Sequence, residues 1–157
     1  HLVLVILPHA KSANNGTITQ VEPIQKTEEE WRALLSDEEY AVLREHATEA
    51  PFSGKYLSHD EHGMYYCKAC GNPLFSSESK QNSDKGDPGL HGWPSFSNPQ
   101  VQENIGTRPD DSYGMHRTEV YCKKCNGHLG HVFDEKINGS VEKHYCINSV
   151  SLDFKKQ

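Results

Sequence analysis

Five cysteines carry most of the chemical potential of this sequence. Four of them form two CxxC pairs, Cys67-Lys68-Ala69-Cys70-Gly71-Asn72 and Cys122-Lys123-Lys124-Cys125-Asn126-Gly127. Two thiolates three positions apart on a tight turn offer half of a tetrahedral four-sulfur site, in which zinc holds sulfur at about 2.3 Å. Gly71 and Asn126, directly after the second cysteine of each pair, suit the left-handed backbone such a turn often needs. The pairs are separated by 51 residues, more than the roughly 15–20 of an ordinary zinc ribbon. An ion there would join two distant hairpins, where a modest core most needs a staple. Two disulfides or a redox-active CxxC are the alternatives. A redox CxxC normally opens a helix in a thioredoxin-like βαβ unit, and no such unit is visible. The expectation is one structural zinc per chain on Cys67, Cys70, Cys122 and Cys125.

The fifth cysteine lies in Lys143-His144-Tyr145-Cys146-Ile147-Asn148-Ser149. In a strand, His144, Cys146 and Asn148 share one face. A thiol beside an imidazole and an amide is a candidate nucleophile, since a nearby cation lowers its pKa and a donor steadies the product. Taken alone, a strand cysteine is more often a small buried hydrophobe. Two further clusters shift that balance. His128-Leu129-Gly130-His131-Val132-Phe133 carries two histidines that a regular strand would point apart, and Gly130 allows a bulge or kink that brings them together. Gly92-Trp93-Pro94-Ser95-Phe96 supplies an apolar wall or ordinary core.

The elements that must position these groups come from a chain of 157 residues, the length of one domain. Sixteen basic against 22 acidic residues give a net charge of −6, which argues against a nucleic-acid partner. Leu2–Leu7 is an apolar run too short to span a bilayer. It reads as the remnant of a targeting or anchor segment, which points to an extracytoplasmic or organellar location ahead of the cytoplasm. Residues 11–26 read as a linker, so 1–26 stand apart from a folded domain over 27–154, with 155–157 as a tail. Thr27 with Glu30, and Ser36 with Glu39, form capping boxes before apolar helical spacing. They predict two short helices over about 28–35 and 37–47. Beyond Pro51 the pattern becomes short strands, 63–67, 74–76, 118–121, 130–133, 143–147 and 150–154. The fold class is therefore mainly β with short N-terminal helices.

In order, Phe52-Ser53-Gly54-Lys55, the first CxxC with Gly71, Pro73-Leu74-Phe75, Gly92-Trp93-Pro94-Ser95-Phe96, the second CxxC, His128 to Phe133, and Tyr145 to Leu152 make a series. That series resembles the methionine-R-sulfoxide reductase B family in its zinc-containing form, over about 27–154. The resemblance implies a β-tent-like pair of antiparallel sheets stapled by the four-cysteine zinc site. It implies reduction of peptide-bound methionine (R)-S-oxide, with Cys146 as nucleophile and His131, His128 and Asn148 as catalytic partners. Trp93, Phe133 and Glu135 would bind substrate. Partners would be oxidised proteins and a thioredoxin or glutathione/glutaredoxin-type reductant, acting on a monomer. Zinc-stapled domains of this kind also occur as non-catalytic binding modules, which is the alternative. Three departures stand out. Many relatives carry a resolving cysteine where His91 stands, so an external thiol is expected to complete the cycle. Residues 82–90 are longer than the family's usual turn. His144 replaces a frequent arginine, and Asp134 rivals Glu135 for the acidic position.

Overall fold

A computed structural model describes residues 21–82 and 87–157. The apolar run Leu2–Leu7, most of the expected linker and the middle of the 82–90 segment lie outside those residues. No helix among the described residues is long and apolar enough to cross a membrane.

Local chemistry sets the helices. Thr27 caps α1 (Glu28–Leu34) and Ser36 caps α2 (Asp37–Glu45). Each hydroxyl accepts from the backbone amide three residues on, at 3.2 and 3.1 Å, and each Glu reaches back to the cap. These bonds satisfy amides that a helix start leaves unpaired. The second helix stops earlier than expected because His46 turns left-handed, with φ 60°. Trp31, Tyr40, Val42 and Leu43 are the buried face. The packed domain also begins before Thr27. The Ile24 amide donates to the Lys124 carbonyl at 2.6 Å, and its side chain packs against the core.

Two antiparallel sheets follow. The smaller has the order β2 (Pro73–Ser76), β1 (Gly63–Cys67), β9 (Leu152–Lys156). The larger runs β3 (Lys80–Gln81), β4 (Ser95–Phe96), β8 (Ser140–Ile147), β7 (His128–Ile137), β6 (Arg117–Cys122), β5 (Ile105–Asp110). Aromatic rings close the space between them. Phe75 of the small sheet stacks on Phe96 of the large one at 4.4 Å between centroids, and Tyr65 meets Phe96 edge-on at 5.1 Å. Leu74, Leu129, Ile147 and Leu152 complete this core.

Some boundaries differ from the sequence reading. Residues Ser149–Ser151 form a 3-10 turn, so the last strand starts at Leu152. That strand continues through Lys155 and Lys156, which pair with Met64 and Gly63, so these two residues belong to the sheet rather than to a tail. β5 was not among the expected strands; it contains Gly106 and Pro109, which weaken a strand pattern. It is an edge strand, where a proline costs no ladder bond. Tyr121 lies directly across from Gly106 and fills the place of its missing side chain.

The decisive contact for function is between β7 and β8. A Cβ at Gly130 would lie 2.0 Å from the Cys146 carbonyl oxygen. Only glycine lets the two strands approach this closely. Gly130→Ala is expected to cost about 1–3 kcal/mol through overpacking. Urea unfolding of the wild type and the variant measures it, and equal midpoints would contradict the contact.

Candidate active site

The two knuckles adopt one geometry. In the first, the Gly71 amide donates to the Cys67 carbonyl at 2.8 Å and the Cys67 amide to Asn72 at 2.8 Å. In the second, the Asn126 amide donates to Cys122 at 2.7 Å and the Cys122 amide to Gly127 at 2.9 Å. Gly71 and Asn126 sit at φ 76° and 64°, the left-handed region anticipated for them. The four sulfurs converge. Cys67 and Cys125 are 3.6 Å apart, as are Cys70 and Cys122, and all four lie within 4.8 Å of one another. A tetrahedron with metal–sulfur bonds of 2.3 Å has edges of about 3.8 Å. Asn72 Nδ2 donates to the Cys122 sulfur at 3.5 Å and the Gly127 amide to the Cys125 sulfur at 3.4 Å, as thiolates require. This donor set fits a metal ion.

Cys146 is separate from that cluster. It lies on β8 directly opposite His131 of β7 and Ser95 of β4. Opposite residues of an antiparallel pair point their side chains to the same face. Cys146 and His131 accordingly share a cavity of roughly 250 Å³. Trp93, Phe133, Leu90 and Met115 form its apolar wall, and Asn148 and Arg117 also line it. Trp93 is fixed by its indole N–H, which donates to the Glu49 carbonyl at 3.0 Å. The Asn148 amide accepts from the Glu49 backbone N–H and donates to the Leu129 carbonyl, both at 3.0 Å. One residue, Glu49, therefore grips both sides of the pocket.

The two histidines divide their tasks. A bulge between Val120 and Tyr121 of β6 leaves Leu129 without a partner, which turns His128 to the side of His131. Their rings lie 5.4 Å apart. Only His131 lines the cavity; His128 is buried behind it, with Nδ1 at 2.7 Å from Glu119. His131 Nε2 is 2.7 Å from Asp110. Glu135 does not line the cavity as expected. Its carboxylate is committed to His144 Nδ1 at 3.2 Å and to the Asp87 amide at 3.2 Å. His144 is buried, and its Nε2 is 2.8 Å from the Ser95 hydroxyl. Asp134 instead pairs outward with Lys143.

Electrostatics follow from this placement. Burial pushes the Cys146 thiol up to about 12, and the carboxylates of Glu49 and Glu135 add to the rise. The Cys146 thiol thus rests neutral, with its sulfur facing the Leu90 carbonyl at 3.8 Å. The sequence suggested a thiol made acidic by the neighbouring imidazole. The structure differs because Cys146 is buried with the Glu49 and Glu135 carboxylates nearby, while His144 faces Glu135 and Ser95. Burial pushes Glu119 up, but hydrogen bonds from His128 and Arg108 outweigh it and hold the carboxyl at about 2. The Ser112 hydroxyl and the His131 ring hold Asp110 well below the usual carboxylate range. Burial lowers His131, against an opposing pull from Asp110. His46, Glu119 and His128 also offer ligand atoms within 4.8 Å of one another, but Arg108 already grips both Glu119 oxygens, at 2.6 and 3.3 Å.

Glu49, Asp110, Arg117 and Glu119 escaped the sequence reading. The one local signal was Glu119, an acid inside a predicted apolar strand, which needs a buried partner.

A neutral, buried thiol makes a kinetic prediction. Alkylation of Cys146 by iodoacetamide, followed by peptide mass spectrometry, should rise about tenfold per pH unit from 7 to beyond 9, without the plateau near 8.5 of an ordinary thiol. A plateau at or below 8.5 would contradict the burial argument.

Comparison with known proteins gives the same picture. A SelR domain model matches residues 35–156. The chain is 48% identical over 133 residues to the peptide methionine sulfoxide reductase MsrB of Chromohalobacter salexigens, covering 85% of this chain and 96% of that one. It is 47% identical over 146 residues to the protein of that name from Bradyrhizobium diazoefficiens, covering 93% and 96%. Danio rerio methionine-R-sulfoxide reductase B2, mitochondrial, is 47% identical over 133 residues, covering 80% and 70%. With two antiparallel sheets, paired cysteine knuckles and a matched length of this extent, the chain belongs to the methionine-R-sulfoxide reductase B family, the SelR-domain proteins.

Proposed function

We propose that the chain reduces peptide-bound methionine (R)-S-oxide to methionine with Cys146 as nucleophile. The observation that carries this reading is the convergence of the Cys146 thiol, His131 and Asn148 in one cavity opposite Trp93. The names of its relatives support it. The apolar wall of Trp93, Phe133 and Leu90 suits the sulfoxide's methyl group, which aims the chiral sulfur at Cys146 and its oxygen at His131. The Cys146 sulfur attacks the sulfoxide sulfur while a proton reaches the oxygen. Oxygen passes to the cysteine, methionine leaves, and Cys146 becomes a sulfenic acid, reducible by thiols. Asn148, held at both ends of its amide, keeps the turn after the nucleophile in place. His128 backs the ring of His131, and Glu135 acts through His144 rather than on substrate.

Zinc is the ion proposed for Cys67, Cys70, Cys122 and Cys125. When bound, it supplies a cross-link between the sheets and takes no part in the sulfoxide chemistry. The knuckles use four of the five cysteines. A thioredoxin or glutathione/glutaredoxin-type thiol must therefore attack the sulfenic acid, releasing water and forming a mixed disulfide that a second thiol reduces. No observation favours the non-catalytic binding module.

The test is an assay of the wild type and Cys146→Ser on peptides carrying each sulfoxide epimer, with dithiothreitol as reductant. Turnover of the R epimer alone, abolished in the variant, is expected. Turnover of the S epimer alone would refute the pocket argument, and equal rates in both proteins would remove Cys146 from the chemistry.

A further inference from the structure

We propose that Asp110 is a positioning residue of this reaction: its carboxylate locks the His131 ring with Nε2–H toward itself, so that Nδ1 ferries the Cys146 thiol proton to the sulfoxide oxygen. The inference rests on the reductase reading above and adds to it a residue and a proton source.

Three observations combine. Asp110 closes β5, opposite Arg117 at the start of β6, and reaches across that strand to β7. Its Oδ2 lies 2.7 Å from His131 Nε2 and 3.4 Å from an Arg117 guanidinium nitrogen. Its Oδ1 accepts from the Ser112 amide at 3.0 Å and from the Ser112 hydroxyl at 2.6 Å. Three donors independent of His131, the Ser112 amide, the Ser112 hydroxyl and the Arg117 guanidinium, keep this carboxylate ionised. An ionised carboxylate only accepts, so the shared hydrogen belongs to His131 Nε2. That leaves Nδ1 as the ring nitrogen not committed to Asp110. His131 faces Cys146 across the β7–β8 pair, in the same cavity.

The proton account then closes without an outside acid. Cys146 rests as a thiol, so the proton needed at the sulfoxide oxygen is already in the cavity. His131 Nδ1 takes it as the sulfur attacks, the resulting imidazolium is steadied by Asp110, and the proton passes on to the oxygen. The sum is Cys–SH plus sulfoxide giving Cys–SOH plus thioether. The cysteine sulfur loses two electrons, the methionine sulfur gains them, and the thiol hydrogen ends on the transferred oxygen.

The geometry also says what Asp110→Asn does. The Ser112 amide still needs an oxygen acceptor, so the new amide must present its NH₂ to His131 Nε2. The ring is then driven to the wrong tautomer. The experiment uses the metal-loaded full chain. Imidazole ¹⁵N spectra at neutral pH should show His131 as Nε2–H in the wild type and as Nδ1–H in Asp110→Asn. Wild-type His131 as Nδ1–H, or no change in the variant, would overturn the proposal even if the variant is too unstable to assay. In steady state, kcat on the R-sulfoxide peptide should fall about 10²–10⁴-fold in Asp110→Asn with little change in KM. Ser112→Ala, which loses one contact on Asp110 but keeps the Ser112 amide, Arg117 and His131 contacts, should lower kcat far less than Asp110→Asn. A comparable fall in Ser112→Ala would assign Asp110 to loop support and overturn the proposal. Unchanged kcat in Asp110→Asn would overturn the proposal and leave the reductase reading standing, whereas no wild-type turnover of the R epimer would sink both.

Discussion

Four sulfur atoms within 4.8 Å of one another are the constraint on which this structure depends. Cys67 ends β1 in the small sheet, and Cys122 ends β6 in the large one. Each strand turns into its knuckle, and the knuckles meet. The aromatic seam of Phe75, Phe96 and Tyr65 closes the same two sheets by burial. Burial is graded and non-directional, whereas thiolate–metal bonding is short and directional, so an ion held by these four sulfurs would set how the sheets join. Metal affinity of such a site is folding free energy. The junction gathers four of the five cysteines and leaves Cys146 apart from them.

Cys146, His131 and Phe133 stand on strands of the large sheet, while Leu90, Trp93, Met115 and Asn148 come from the turns and loops beside it. The Gly130 approach places Cys146 beside His131, and the Leu129 bulge brings His128 in behind. Glu49 then holds Trp93 and Asn148 from the far side through its own backbone. The cost of this dry, close-packed arrangement is a reluctant thiol. A thiol pushed up to about 12 does not ionise on its own at neutral pH.

Local features were legible in the sequence. The capping boxes of Thr27 and Ser36, the left-handed positions of Gly71 and Asn126, and the strand Gly63–Cys67 depend on neighbours within a few residues. The pairing of two distant CxxC turns was legible because only one ligand geometry uses four such thiolates. The carboxylate network was not. Asp110 meets His131 across β6, and Glu49 meets Trp93 and Asn148 across 44 and 99 positions of sequence. Those partners are chosen by strand order. β5 hid behind Gly106 and Pro109, and β3 and β4 are two residues each, too short to show a period. The acid at Glu135 was found, but its tie to His144 was not, since that tie depends on register.

The central claim is that Cys146 works without a resolving cysteine because the other four are held at the sheet junction. Mass spectrometry after one turnover with the R-sulfoxide peptide, without reductant and with dimedone present, tests it most directly. The account predicts one dimedone adduct per chain, on Cys146, with the metal retained by the four knuckle cysteines. A stoichiometric disulfide between Cys146 and a knuckle cysteine, with metal still bound, would contradict it.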